Sequence, residues 1–451
     1  MRLTWVQPED LLAHELVQAA AEGTDVRAQA RRWQEAGGSL EPAVSGASGV
    51  PADDATRAVA RALMDELDAL EAPPHPDEPD GWDEILALLP DAPALAAPGE
   101  DLAARIEAAW TGRAVGCLLG KPVEKIPRAG IEEIARATGT WPVTGYFTAR
   151  GLPDDVAARW PWNRRSAPTS LAENIDGMPE DDDLNYPLLA LTLLEQHGEG
   201  LTTDDVAKAW LDNLPAGRVF TAERVAYRNL LAGHDAPRTA IHQNPFREWI
   251  GALIRTDVYG WTRPGDLRGA ARLAWVDARL SHTRNGVYGA MWAAALGSAA
   301  LVAGSVTEAL DAASAVVPPG SRLAEAIALG RRAGREAPDD AAALDLLHEA
   351  YGHLHWVHVL NNAAVVACAL ERGRGDLTAS IGLAVMAGWD TDSAGATVGG
   401  VVGAVGGPAV IEDRWSAPLR GVVATSLPGP SEHRLSDLAA RTLALASRIA
   451  S

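Results

Sequence analysis

Two cysteines, Cys117 and Cys368, stand far apart in a chain of 451 residues, with no Cys-x-x-Cys spacing. That excludes a disulfide framework and a cysteine-based zinc site. Basic charge is also scarce: 39 lysines and arginines face 60 aspartates and glutamates, a formal charge of -21. Nucleic acids and anionic membranes require a basic stripe to neutralise phosphates, so neither is expected as a partner. No run reaches the roughly 18 uninterrupted apolar residues of a membrane span, and the opening MRLTWVQPEDLLAHEL has no basic stretch leading into an apolar one. A cytoplasmic protein is the expectation. Three phenylalanines stand against fifteen tryptophans. Indole is bulky and needs a partner for its N–H, so most of these tryptophans are expected in the core or between helices.

What is present is helical. Hydrophobic residues make up 47% of the chain, and they recur at helical spacing, as in Val59, Leu63, Leu67 and Leu70, or Ile106, Trp110, Ala114 and Cys117. Alanine is abundant and alternating β-branched runs are few, so the fold class predicted is all-α. The stretch EAPPHPDEPDG, residues 71–81, has four prolines and four acids and no helical face. It predicts a boundary, with a small helical extension over 1–95 and a main domain over 96–451. A second irregular stretch, about Thr138 to Pro179, is too long to be idle in a compact domain.

Two acidic constellations carry the chemistry. In GMPEDDDLNYPLLALTLLEQHG, Glu180, Asp181, Asp182 and Asp183 precede a helical repeat. A helix N-terminus stabilises one or two acids, by roughly 0.3 to 1 kcal/mol each, but four adjacent acids repel one another. Hard divalent cations such as magnesium take oxygen ligands of this kind and would relieve that repulsion. In GWDTDSAGATVGGVVGAVGG, residues 388–407, Asp390, Asp392 and Ser393 offer a second set of oxygens at the start of a glycine-rich segment. Asp392 or Ser393 is expected to serve as an ordinary N-cap for the helix that follows, which leaves Asp390 unexplained by capping. The small residues predict a central helix packed closely on its neighbours.

PEDDDLNYPLLAL, followed about two hundred residues later by GWDTDSAGATVGGVVGA, resembles the paired metal motifs of the ADP-ribosylglycohydrolase family, also called the dinitrogenase-reductase-activating glycohydrolase type. RIEAAWTGRAVGCLLGKPVEK, residues 105–125, resembles that family's opening helix and the glutamate beyond it, here Glu124. The likeness covers roughly residues 100–450. It implies an all-helical domain with two magnesium ions, or manganese in some members, held in a cleft. Position by position, the implied metal set is Glu180, Asp181, Asp182, Asp390, Asp392 and Ser393, with serine in place of the usual threonine, and Glu124 or Asp181 as acid or base. Two departures stand out. Glu180 and Asp183 replace threonines common in the family, and the family's asparagine-glycine segment ending in methionine-arginine has REWIGALIRTDVYGW, residues 247–261, as its nearest counterpart.

Other motifs carry less. GCLLGKP, residues 116–122, has three residues rather than four between its glycines and a proline where a phosphate loop has a hydroxyl. LTTDDVAKAW, residues 201–210, reads as a helix start at Thr202 or Thr203. His353, His355 and His358 in HLHWVH do not share one helix face, against a zinc site. In SHTRNGVYG, residues 281–289, His282 and Asn285 are either a cap and turn or substrate contacts, and they stand as substrate-binding candidates beside Trp389, placed to stack on a ring. The activity expected is a magnesium-dependent glycohydrolase cleaving the ribosyl bond of an ADP-ribosyl or nucleoside-like small molecule. The alternatives are release of ADP-ribose from a protein side chain, or a catalytically silent protein that binds nucleotide or metal.

Overall fold

The computed structural model describes residues 3–70 and 72–449. It is 63% helix and 2% strand, so the all-α expectation holds. The helices that position the cleft are α1 (Pro8–Ala21), α2 (Arg27–Glu35), α3 (Asp54–Asp68), α4 (Trp82–Leu88), α5 (Leu102–Gly120), α6 (Asp182–His197), α7 (Arg284–Ala300), α8 (Arg322–Glu336), α9 (Val359–Gly373), α10 (Leu377–Met386), α11 (Thr391–Gly406) and α12 (Leu435–Ile449).

The axis of the molecule is the contact between α5 and α11, which share the most extensive helix–helix surface. Glycines four apart on α5 meet glycines four apart on α11. A Cβ on Gly116 would lie 1.9 Å from the carbonyl oxygen of Gly395, and one on Gly399 would lie 2.1 Å from that of Gly112. The two backbones therefore touch, which no residue larger than glycine permits at these positions. With the short turn that follows it, α11 is long and apolar enough to cross a membrane by composition alone, yet 72% of that window is buried within the protein. Every residue of α7 is buried as well. Five tryptophans, Trp110, Trp210, Trp261, Trp292 and Trp415, are fully enclosed, and the Trp110 N–H donates to Thr442 Oγ1 on α12 at 3.0 Å.

The one sheet among the described residues is a ribbon of β1 (Val422–Ala424) and β2 (Glu432–Arg434), antiparallel, with Val423 opposite His433. Its use is local. Met178 donates its N–H to Val422 O at 3.0 Å and accepts from Ala424 N at 2.9 Å, pinning the chain two residues before Glu180.

Helices α1 to α4 lie against the rest of the molecule. Trp5 meets Phe246 and Trp249 edge-on, with ring centres 5.4 and 5.7 Å apart. Arg247 forms ion pairs with Glu15 at 3.0 Å and Glu22 at 2.6 Å, all three buried. Residues 72–81 form no helix, and they are anchored. Glu78 accepts from the Arg322 backbone N–H at 2.9 Å and pairs with Arg284, while Asp80 accepts from the Arg284 N–H at 2.7 Å. This proline-rich stretch thus fastens the N-terminal ends of α7 and α8.

Candidate active site

A cleft of about 800 Å³ opens where α5 ends and α6 and α11 begin, and Glu124, Glu180, Asp181, Asp182, Asp390 and Asp392 all line it. Three distant segments meet there for local reasons. A single 3-10 turn, Lys121–Val123, follows α5, and Glu124 just after it lines the cleft. Asp181 caps α6, its Oδ1 accepting from Asp183 N at 2.9 Å. At the third segment Asn362 of α9 accepts the Asp390 N–H at 3.1 Å, and Thr391 Oγ1 donates to Gly120 O at 2.9 Å. The last bond ties the start of α11 to the end of α5. A Cβ on Gly120 would lie 2.3 Å from Asp392 N, so this junction too depends on a missing side chain.

The acids are held in different ways. Lys121, buried, pairs with Asp181 and donates to Glu180 O at 3.2 Å. Burial opposes the Asp181 carboxylate, but Lys121 outweighs it and keeps the group below the ordinary carboxylate range. Glu180 accepts from Asn185 at 2.9 Å and pairs with Arg218 at 3.0 Å. Glu124 Oε2 accepts from Asn163 at 2.5 Å, with Lys125 3.5 Å from Oε1. Asp183 lies behind the cleft wall. It takes Arg113 at 3.4 Å and the Ser393 hydroxyl at 3.1 Å, joining the two acidic motifs directly. Burial and the charge of Asp181 raise Asp183 well above the usual range in spite of Arg113.

Asp182, Asp390 and Asp392 have no ion-pair partner among the described residues. Burial, then Asp181, Asp183 and Asp392, push Asp182 well up. Asp390 is raised by burial and by Asp392, whose carboxyl is within hydrogen-bond reach. Asp392 is pushed up to about 7 by burial, Glu124 and Asp181, with Asp390 and Lys121 pulling the other way. Two carboxyls in mutual contact need a proton or a cation between them. This donor set, all hard oxygen and gathered at a cleft with one buried lysine, suits divalent cations of the magnesium or manganese kind. A tighter grouping lies on the buried side, where Cys117 Sγ and carboxylate oxygens of Asp181 and Asp183 fall within 4.8 Å of one another.

Three residues expected to touch substrate do not line the cleft. His282 is fully enclosed, bonded at Nδ1 to Ser281 Oγ at 2.8 Å, and kept neutral by burial and by Arg255. Asn285 accepts from Leu323 N at 2.9 Å and donates to Glu248 at 3.3 Å, so it joins α7 to α8. Trp389 stacks on His348 with ring centres 4.2 Å apart. Neither residue caps α7, whose N-cap Thr283 makes no side-chain cap bond; both turn inward, and a polar helix start reads the same in sequence whether it faces inward or outward. The segment 247–261 does reach the cleft wall through Ile250, Gly251 and Ile254. Thr202 begins a helix with a reciprocal cap to Asp205, and His355 and His358 serve as a ring stacked on Trp249 and a helix cap.

Lys121, Asn163 and Asn362 escaped the sequence reading. Lys121 had a signal, a lone lysine inside the apolar run AVGCLLGKPV. The two asparagines had none, since each acts through one hydrogen bond to a residue far away in sequence.

No curated protein matches the chain at a significant level. A solved structure titled "ADP-ribosylglycohydrolase-related protein complex" is similar at 23% identity over 77% of this chain and 99% of its own, with a TM-score of 0.47. A model of the ADP-ribosylglycohydrolases matches residues 98–449, which include all three segments of the cleft, and the chain belongs to the ADP-ribosylglycohydrolase family.

Proposed function

We propose that the protein is a metal-dependent glycohydrolase that cleaves the ribosyl bond of a free ADP-ribosyl or nucleoside-like small molecule. The observation that carries this reading is the convergence of Glu124, Asp181, Asp182, Asp390 and Asp392 on one cleft. Magnesium ions, two in number with manganese as the alternative, would be held by Asp181, Asp182, Asp390 and Asp392, with Glu180 and Ser393 beside them. A divalent pair supplies orientation of ribose hydroxyls and a lowered pKa for water.

The chain's own groups divide the remaining work. Both Asp181 oxygens are engaged, one by Lys121 and one by the Asp183 N–H, so Asp181 is a fixed anion and a poor proton carrier. Glu124 is partly open to the cleft and held from behind by Asn163, which leaves it placed to take the proton from water. As water adds to the anomeric carbon, the bond to the leaving group breaks, and the leaving atom keeps the electron pair. The sugar carries positive charge at that moment, and the ring of carboxylates favours it.

The direct test is a panel of ADP-ribosyl and nucleoside substrates, assayed with magnesium, with manganese and with excess chelator. Chelator-sensitive ribose release is expected from the wild type. Glu124→Gln should lower kcat by about two to four orders of magnitude while retaining metal-dependent thermal stabilisation. Release that persists undiminished in chelator, or a fully active Glu124→Gln protein, would refute the assignment.

A further inference from the structure

The cleft wall is not built by the family-matched residues alone. Thr4, Trp5 and Ser45 line it, and all three lie outside the match at residues 98–449. They reach it as two short segments locked to one another. The Trp5 N–H donates to Gly46 O at 2.7 Å, and a Cβ on Gly46 would lie 2.2 Å from the Trp5 indole, so only glycine, here at φ +68°, lets the ring seat. Both segments are tied to the main body of the protein. Arg224 donates to Thr4 O at 2.9 Å, and the Trp356 indole N–H donates to Val44 O at 2.8 Å. Trp356 lines the cleft as well, and Lys125 Nζ sits 5.5 Å from its ring centre and 3.5 Å from Glu124 Oε1. A continuous wall thus runs from Ser45 through Trp356 and Lys125 to Glu124.

We propose that this wall, contributed in part by the N-terminal extension, determines specificity at the reacting end of the cleft, with Ser45 and Trp356 as the selecting residues. It admits a ribosyl compound whose leaving group is small and free, and turns away one whose leaving group belongs to a polypeptide. The inference rests on the ribosyl reading for what occupies the carboxylate floor. Water activated by Glu124 attacks the anomeric carbon, and the leaving group is bonded to that same carbon, so it stands beside the wall. A volume of about 800 Å³ is of the size that holds one small molecule. A polypeptide substrate must also bring main chain on both sides of the modified residue up to the reacting carbon. That approach is taken by Ser45 and Trp356, and residues 44–46 are fastened there by the bond to Val44 O and by the seat that Gly46 makes for Trp5. An occupied approach discriminates against the larger ligand without adding affinity for the smaller one.

The probes are ADP-ribose, ADP-ribosyl-arginine and a short peptide carrying the same ADP-ribosyl-arginine at its centre. They are titrated into full-length magnesium-loaded protein bearing Glu124→Gln, so that the ligands persist. ADP-ribosyl-arginine is expected to bind at least about tenfold more tightly than the peptide. Adding Trp356→Ala, which removes the indole and its hold on Val44 O, should bring the two within about twofold. Adding Ser45→Trp instead puts bulk at an exposed position, and should weaken ADP-ribosyl-arginine at least about fivefold more than ADP-ribose. The Ser45 variant decides alone if the Trp356 variant does not fold. Equal binding of peptide and ADP-ribosyl-arginine before either wall substitution, or preferences that neither substitution changes, overturns the wall and leaves the ribosyl reading standing. Failure of all three ligands to bind overturns the ribosyl reading, and the selection argued from it falls too.

Discussion

Asp392 is buried, capped by nothing basic, and pushed up to about 7, so its charge is a burden on the metal-free fold. Asp392→Asn preserves shape and the bond that Oδ1 accepts from Ser393 N at 3.1 Å. The chelated variant should therefore melt at or above the wild-type temperature, while the rise in melting temperature expected of wild type with magnesium should largely vanish. Activity at limiting metal should drop by orders of magnitude, with partial recovery in excess magnesium. Differential scanning calorimetry with and without chelator checks both halves. At this scale the acids were legible because four adjacent carboxylates demand an explanation in any fold. The supporting Lys121 was less so, and the substrate residues least, since His282 and Asn285 differ from true cleft residues only in which way the helix start faces.

The helix pair α5 and α11 sets the positions of Glu124, Asp390 and Asp392. Gly116→Ala would place a methyl against the Gly395 carbonyl, with no flexible side chain to move aside. Overpacking of this kind destabilises by about 1–3 kcal/mol, more where backbone meets backbone. The expected result is a lowered melting temperature together with weaker magnesium binding, because the two helix ends carry Glu124 and Asp392. Gly200→Ala, with nothing within 4 Å of its Cβ, is the control and should change neither. The glycine run of α11 announced a close-packed central helix. Its partner stripe on α5 was harder to see: Gly112, Gly116 and Gly120 lie four apart, a packing period that in GCLLGKP imitates a phosphate loop.

Across the whole molecule, the N-terminal segment is joined to the remainder by aromatic and charged contacts that span hundreds of residues, such as Arg247 with Glu22. No local pattern encodes such pairs. His14 of α1 sits among Phe246, Trp249 and His355 at ring-centre distances of 5.1 to 5.4 Å. Burial, then the nearby His355, lowers its pKa to about 3. The unfolded chain takes up a proton near pH 6.5 that the folded chain refuses, so this contribution is complete above pH 6.5 and is lost as pH falls toward 3. At pH 5 the loss is about 2 kcal/mol for His14 alone. Urea unfolding at pH 7 and pH 5 should show His14→Phe losing less stability over that interval than wild type, by about that amount.

The bond from Thr391 to Gly120 O joins residues 271 positions apart, and the glycine contacts around it have similar separations. Contacts so distant form late, after the entropy of closing long loops has been overcome. During synthesis, a ribosome must deliver nearly nine-tenths of the chain before the floor of the cleft can exist at all. Until then the aspartates of the first motif lack their partners, and the finished cluster of carboxylates is acquired in a single late step.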